Sequence, residues 1–146
     1  MVKPKVIVTK VQVKITSKEE QKYDVEVVQK NKNPAQFYKP YCEYIEEQNI
    51  ILVSVPSCES NVLHQINNWE DLTNSYASAI NKAIRLNKKI VLVPELGEGL
   101  LWNDYMIPKA AREALEKIDK CDDDFEVVFC INESRYKLWD TMMKFD

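Results

Sequence analysis

Glycine is nearly absent: Gly97 and Gly99 are the two in 146 residues. Wherever else the chain turns, it does so without the residue that takes left-handed backbone freely. Histidine is scarcer still. His64 stands alone, and Cys42, Cys58, Cys121 and Cys130 are widely spaced with no CxxC pair. These residues cannot complete a common zinc set from neighbouring positions, so no metal site is expected and the cysteines read as buried thiols. No apolar run approaches the roughly 20 residues of a membrane span. The start, MVKPKVIV, has no signal-peptide h-region followed by a small-residue cleavage site. A cytoplasmic protein without membrane contact is expected. An excess of positive charge is missing as well: Lys+Arg 20 against Asp+Glu 23 gives a net charge of -3, with pI ≈ 5.3. That balance argues against duplex nucleic acid, whose affinity comes mostly from phosphate neutralisation. No GxSxG, Walker loop or HExxH occurs, so the common hydrolase, nucleotide-triphosphate and zinc-protease signatures are excluded.

What is present is one stretch around which the rest is organised, residues 88–102, KKIVLVPELGEGLLW. Residues 90–93 form a β-branched-rich run without polar alternation, the pattern of a strand covered on both faces. Pro94 stops it. Both glycines then follow, one residue apart, where backbone freedom or close approach is needed. Open α/β sheets bind ligands outside the carboxyl ends of their strands, so this loop is a candidate site. Two glycines after a strand also make an ordinary turn, and spacing alone leaves turn and phosphate cradle as alternatives. Glu95 and Glu98 flank the loop and read as solvated acids rather than as a catalytic carboxylate pair.

At this length, with 45% hydrophobic residues, the chain matches a single domain, 1–146. Period-two apolar residues at 6–15, with a parity change near Thr9, and again at 23–27 predict a β-hairpin or two neighbouring strands. Residues 29–40 read as irregular, and 41–48 as one or two helical turns broken by Asn49. A second unbroken apolar run, 50–55, ends in Pro56, and two buried strands that both end in proline point at one face of a sheet. His64 falls in a polar stretch read as a surface loop. Asn68 is a fair N-cap for a helix to about Leu86, whose stripe is Trp69, Leu72, Tyr76, Ile80, Ala83 and Ile84. Pro108 suits the first position of a helix over 108–120, 125–131 is another buried strand, and Ser134 can cap a last helix bearing Leu138, Trp139 and Met142. The alternation from residue 50 onward implies a layered α/β arrangement with right-handed crossovers.

Trp69-Glu70-Asp71-Leu72, the strand 90–93, Pro94-Glu95-Leu96-Gly97-Glu98-Gly99-Leu100 and Trp102 together resemble the macro domain. The likeness is strongest to the subgroup of terminal ADP-ribose-protein hydrolases and DNA ADP-ribose glycohydrolase antitoxins, and covers residues 50–131. It implies a three-layer α/β/α macro-like mixed sheet with an N-terminal β-hairpin. It also implies a loop after Val93 that wraps the diphosphate of ADP-ribose through backbone NH groups. The ligand-binding residues so implied are Val55, Pro56 and Ser57, then Pro94, Leu96, Gly97, Glu98, Gly99, Leu100 and Leu101. Tyr136 joins them where the family tends to place an aromatic against the adenine, with core packing as its alternative. The family's catalytic lysine falls near Tyr44 and its catalytic aspartate at Leu101, with Asp104 just beyond. The Gly-Asp pair of the family is replaced within Val13-Lys14-Ile15-Thr16. With no catalytic residue in register, the reading is a divergent, non-hydrolytic domain that binds ADP-ribose or a related nucleotide and needs no cofactor. The alternative is a protein-interaction module that kept the fold and lost the pocket, with a protein partner in place of the nucleotide.

Overall fold

The computed structural model describes residues 12–16, 22–30, 42–56, 62–97, 100, 102–121 and 124–143, with the backbone alone for 62–68. The elements run β1 (Gln12–Thr16), β2 (Val25–Gln29), β3 (Cys42–Ile45), β4 (Ile50–Val53), α1 (Val62–Arg85), β5 (Ile90–Pro94), α2 (Met106–Leu115), β6 (Glu126–Cys130), a 3-10 turn (Glu133–Arg135) and α3 (Tyr136–Met142). The strands make one six-stranded sheet in the order β1-β6-β5-β2-β4-β3. All neighbours are parallel except β3, which runs antiparallel to β4. This is the expected α/β mixed sheet, and β4, β5 and β6 grow from the unbroken apolar runs that predicted them.

One face of the sheet carries the core. Register aligns Val25 with Val91 and Val127, and Val93 with Phe129, and these side chains are at most 1% exposed. Onto that face α1 lays Leu72, Tyr76, Ile80 and Ala83, α2 lays Ala110, Ala111 and Ala114, and α3 lays Trp139, all fully buried in one cluster. The alanines of α2 matter because small side chains let two helices approach closely over the same strands. Leu72 and Tyr76 face the sheet as expected. Trp69 is half-buried against the same cluster, its indole donating to the Met106 carbonyl at 3.3 Å under the Lys109 ammonium. On the opposite face Leu92 and Val128 are also buried.

Several local readings need correction. β1 and β2 form no hairpin: β6 and β5 lie between them, and both are parallel to their neighbours. Period two tells which face of a strand is apolar, here Val13 and Ile15 or Val25 and Val27, and is silent about the partner. Residues 42–45 are an edge strand rather than a helical turn, because Cys42 and Tyr44 face the core while Glu43 faces water. Asn49 does break the chain there, at φ 55. Helix α1 starts at Val62, before Asn68, which puts His64 in a helix and not a loop. Helix α2 is shorter than 108–120, and Pro108 is its third residue, where the missing N–H has no intrahelical acceptor to lose. Ser134 does not cap α3, whose N-cap position is Arg135 without a side-chain bond; Asn132 caps the 3-10 turn before it, its Oδ1 accepting from the Ser134 N–H at 3.0 Å. Cys42, Cys121 and Cys130 are thiols outside any disulfide but only half-buried. Burial raises the Cys42 pKa, opposed by the charges of Lys82 and Arg85. The reading of 6–11 as strand, the bend near Thr9, and Cys58 lie outside the described residues.

Candidate functional site

The parallel strands β2, β4, β5 and β6 end on the same edge, and four segments meet there: Gln29, residues 54–56, residues 94–97 and residues 132–136. Beyond β5 the chain bends at Gly97, φ +102, in the left-handed region that L side chains rarely adopt. A Cβ at this position would lie 3.0 Å from Trp102 Cδ1 and 3.5 Å from Ile107 Cδ1. Gly97 is therefore required both by its φ and by the indole packed on it.

The loop is tied down by polar contacts from three directions. The Gly97 N–H donates to Gln29 Oε1 at 2.8 Å, across from the end of β2. The phenol of Tyr76, on α1, accepts from the Leu96 N–H at 2.8 Å and donates to the Leu96 carbonyl at 3.2 Å. The Leu100 N–H closes the turn onto the Gly97 carbonyl at 3.0 Å, and the Trp102 indole reaches over to the Pro56 carbonyl at 2.6 Å. That last bond joins the loop after β5 to the end of β4. Ser75 secures the same end, donating to the Ser54 carbonyl at 2.8 Å.

Glu95 overturns its sequence reading. It is no solvated acid: its side chain is 9% exposed, and both oxygens accept from Arg135 Nε, at 2.8 and 2.6 Å. The Trp139 indole donates to the same carboxylate at 2.7 Å. Arg135 spans onward to the Asp104 carbonyl at 2.9 Å and to Asp104 Oδ1 at 3.2 Å. Burial opposes the guanidinium charge, yet the bonds and charge of Glu95, with Asp104, outweigh it and hold the Arg135 pKa above its ordinary value. The result is a chain Trp139–Glu95–Arg135–Asp104 that locks β5, α3 and the segment before α2 together.

Of the sequence-derived site residues, Val55, Pro56, Leu96, Gly97 and Leu100 are buried at this edge and Pro94 is half-buried beside them. Tyr136 is 37% exposed at the start of α3. Ser57, Glu98, Gly99 and Leu101 lie outside the described residues. Tyr44 is at the far end of the sheet, its hydroxyl donating to Asn49 Oδ1 at 3.0 Å beneath the Lys88 ammonium. Sequence reasoning missed Gln29, Tyr76 as a loop anchor, and Arg135; their partners are 68, 20 and 40 residues away, beyond any local spacing rule. Among the described residues no three histidine, cysteine, aspartate or glutamate side chains group as metal ligands. No described helix is long and apolar enough to cross a membrane.

Tyr76 supplies a direct test of this anchoring. Removing its hydroxyl with Tyr76→Phe strands the Leu96 N–H and C=O without partners, at an expected cost of about 1–3 kcal/mol in urea unfolding at neutral pH. Burial first, and the Glu95 charge second, push the Tyr76 pKa well above 10.0. Above about pH 10 the unfolded chain releases this proton while the folded chain keeps it, so the group's contribution falls by about 1.4 kcal/mol per pH unit. Wild type should therefore lose its advantage over Tyr76→Phe as pH rises past that point. A difference constant from pH 8 to 11 would contradict the buried, bonded phenol.

No model of a known protein family and no curated protein sequence matches the chain. Among solved structures it is similar to poly(ADP-ribose) glycohydrolase from Deinococcus radiodurans, determined in complex with ADP-ribose. The TM-score is 0.59 at 9% identity, covering 92% of this chain and 84% of that one. The likeness is one of fold: a macro-like mixed sheet with helices.

Proposed function

We propose that the chain binds ADP-ribose or a related nucleotide, without hydrolysing it, at the carboxyl ends of β2, β4 and β5. The observation that carries this reading is the glycine turn at Gly97, built into the strand-end edge of a fold similar to one that holds ADP-ribose. The Leu96, Gly97 and Leu100 amides are each committed within the protein. Phosphate donors are accordingly assigned to Glu98, Gly99 and Leu101, with Val55, Pro56, Ser57 and Pro94 as walls and Tyr136 offered to the base. The Glu98 carboxylate repels phosphate and suits ribose hydroxyls. Hydrolysis is left out because Leu101 is aliphatic, Tyr44 is at the wrong end of the sheet, and Asp104 is held in an ion pair with Arg135.

Those committed amides equally favour a second reading, a protein-interaction module whose loop has turned its donors inward. Calorimetric titration of ADP-ribose into wild type and Gly99→Val separates the two. The nucleotide reading expects saturable heat from wild type and none from Gly99→Val, with unchanged far-UV circular dichroism, since a Cβ there blocks approach of phosphate to the backbone. No heat from wild type at millimolar ligand removes nucleotide binding and leaves the interaction module. Equal affinity in both proteins moves the ligand away from this loop.

A further inference from the structure

The carboxyl edge already holds an anion on its arginine, and that anion is the protein's own. Arg135 presents two sides. On the inner side, Nε and Nη2 are seated on the Glu95 carboxylate, which is 9% exposed and held in turn by the Trp139 indole. On the outer side, Nη2 donates to the Asp104 carbonyl at 2.9 Å, and Nη1 lies 3.2 Å from Asp104 Oδ1. The two carboxylates are held very differently. Glu95 has little water to return to, whereas the Asp104 side chain is 81% exposed on a guanidinium that is itself 20% exposed. A pair with so exposed a partner adds little to stability, so the Asp104 carboxylate leaves at small cost. The bond from Nη2 to the Asp104 carbonyl still braces the backbone without it.

Position supplies the second argument. Glu95 directly follows β5 and enters the glycine loop, while Asp104 leaves it just past Trp102, the residue whose Cδ1 would stand 3.0 Å from a Cβ on Gly97. Arg135 therefore bonds both limbs of that loop. A diphosphate brought there meets a sequence that already carries Glu95 and Glu98, and like charges repel it unless a cation is within reach. A guanidinium stays charged at any working pH, and its planar fork matches phosphate oxygens as well as it matches a carboxylate.

Resting on the nucleotide reading above, we propose that the outer side of Arg135 anchors the diphosphate of the ligand, with Asp104 as its internal stand-in. A phosphate oxygen takes the place of Asp104 Oδ1 on Nη1, and the displaced carboxylate turns into water. One ion pair is exchanged for another, and no covalent bond changes. Asp104→Ala removes the competing carboxylate and keeps the backbone carbonyl, so ADP-ribose should bind about 2- to 5-fold more tightly, at a melting temperature close to wild type. Arg135→Lys leaves a charge for Glu95 but gives up the fork that reaches past it. Losing a charge-assisted hydrogen bond to phosphate should weaken ADP-ribose binding roughly 10- to 150-fold.

The experiment is calorimetric titration of ADP-ribose into wild type, Asp104→Ala and Arg135→Lys, with phosphorus NMR of each complex at saturation. Tighter binding by Asp104→Ala, weaker binding by Arg135→Lys and displaced phosphorus resonances in the Arg135→Lys complex support the proposal. Equal or weaker affinity in Asp104→Ala overturns it while leaving nucleotide binding intact. Because that variant loses an exposed side chain alone, this outcome is readable whether or not Arg135→Lys folds. Phosphorus resonances of the Arg135→Lys complex at their wild-type positions overturn the contact with phosphate and leave Arg135 as a brace. Absence of heat from wild type overturns the nucleotide reading and this proposal together.

Discussion

Arg135→Ala should lower the unfolding free energy by about 3–5 kcal/mol, a large fraction of what holds an ordinary domain together. The surface ion pairs of this protein set the contrast. Lys89–Asp124 lies in solvent, and Arg85–Asp119, whose side chains are at least 42% exposed, contributes about 0–1 kcal/mol. Glu95 is different: its side chain is 9% exposed, so removing the guanidinium leaves a carboxylate nearly out of water with the Trp139 indole as its remaining donor in the network. The cost comes from the stranded charge more than from the lost attraction, and that distinction is measurable. Combining Arg135→Ala with Glu95→Gln removes the charge but keeps an acceptor for the indole, so the double variant should be more stable than Arg135→Ala alone. Urea unfolding of Arg135→Ala, Glu95→Gln and the double variant at neutral pH provides the cycle. A loss below about 1 kcal/mol for Arg135→Ala would mean that Glu95 is solvated after all.

The same glutamate shows where sequence reading ends. Beside a glycine loop an acid is ordinarily exposed, and nothing within several residues of Glu95 announces an arginine 40 positions later. By contrast β5 and β6 were legible because an unbroken apolar run suits the interior of a sheet, and their central residues are buried on both faces, whereas β4 alternates half-buried and buried residues. The α1 stripe was legible for a similar reason: Leu72, Tyr76, Ile80 and Ala83 recur on one side at helical period, and all four are fully buried. Short segments were not. Cys42, Tyr44 and Ile45 contain too few apolar residues to distinguish a helical turn from a four-residue edge strand, and the pairing with β4 decides the matter from outside. In the candidate site the turn at Gly97 was legible from glycine scarcity, but its reason was not. Spacing left an ordinary turn and a phosphate cradle as alternatives; the structure adds a positive φ and an indole 3.0 Å from where a Cβ would stand. The amides of that turn point to Gln29 and Tyr76, contacts that exist only once β2 and α1 are in place.

Trp139→Ala should cost about 3–5 kcal/mol, and the loss should be unevenly distributed over the molecule. Trp139 is fully buried, its ring 5.1 Å from Phe129 and 6.4 Å from Tyr76 by centroids, and its indole bonds Glu95. Helix α3 has seven residues, and isolated helices below about 12–15 residues are marginal in water. Its other side chains are exposed or half-buried, so within the helix this indole supplies the buried contact, with the Arg135–Glu95 pair and buried Met143 at its two ends. Truncation should release the helix first: amide hydrogen exchange over 136–142 should approach that of an unfolded segment while α1 and β5 retain protection. Trp139→Phe fills most of the volume without the N–H and should fall between wild type and alanine in stability. Because Arg135 and Tyr136 sit at the entrance to α3, its release also removes the brace on Asp104. Uniform loss of protection across α1, β5 and α3 would show instead that Trp139 belongs to a single cooperative core and that α3 is no separately releasable element.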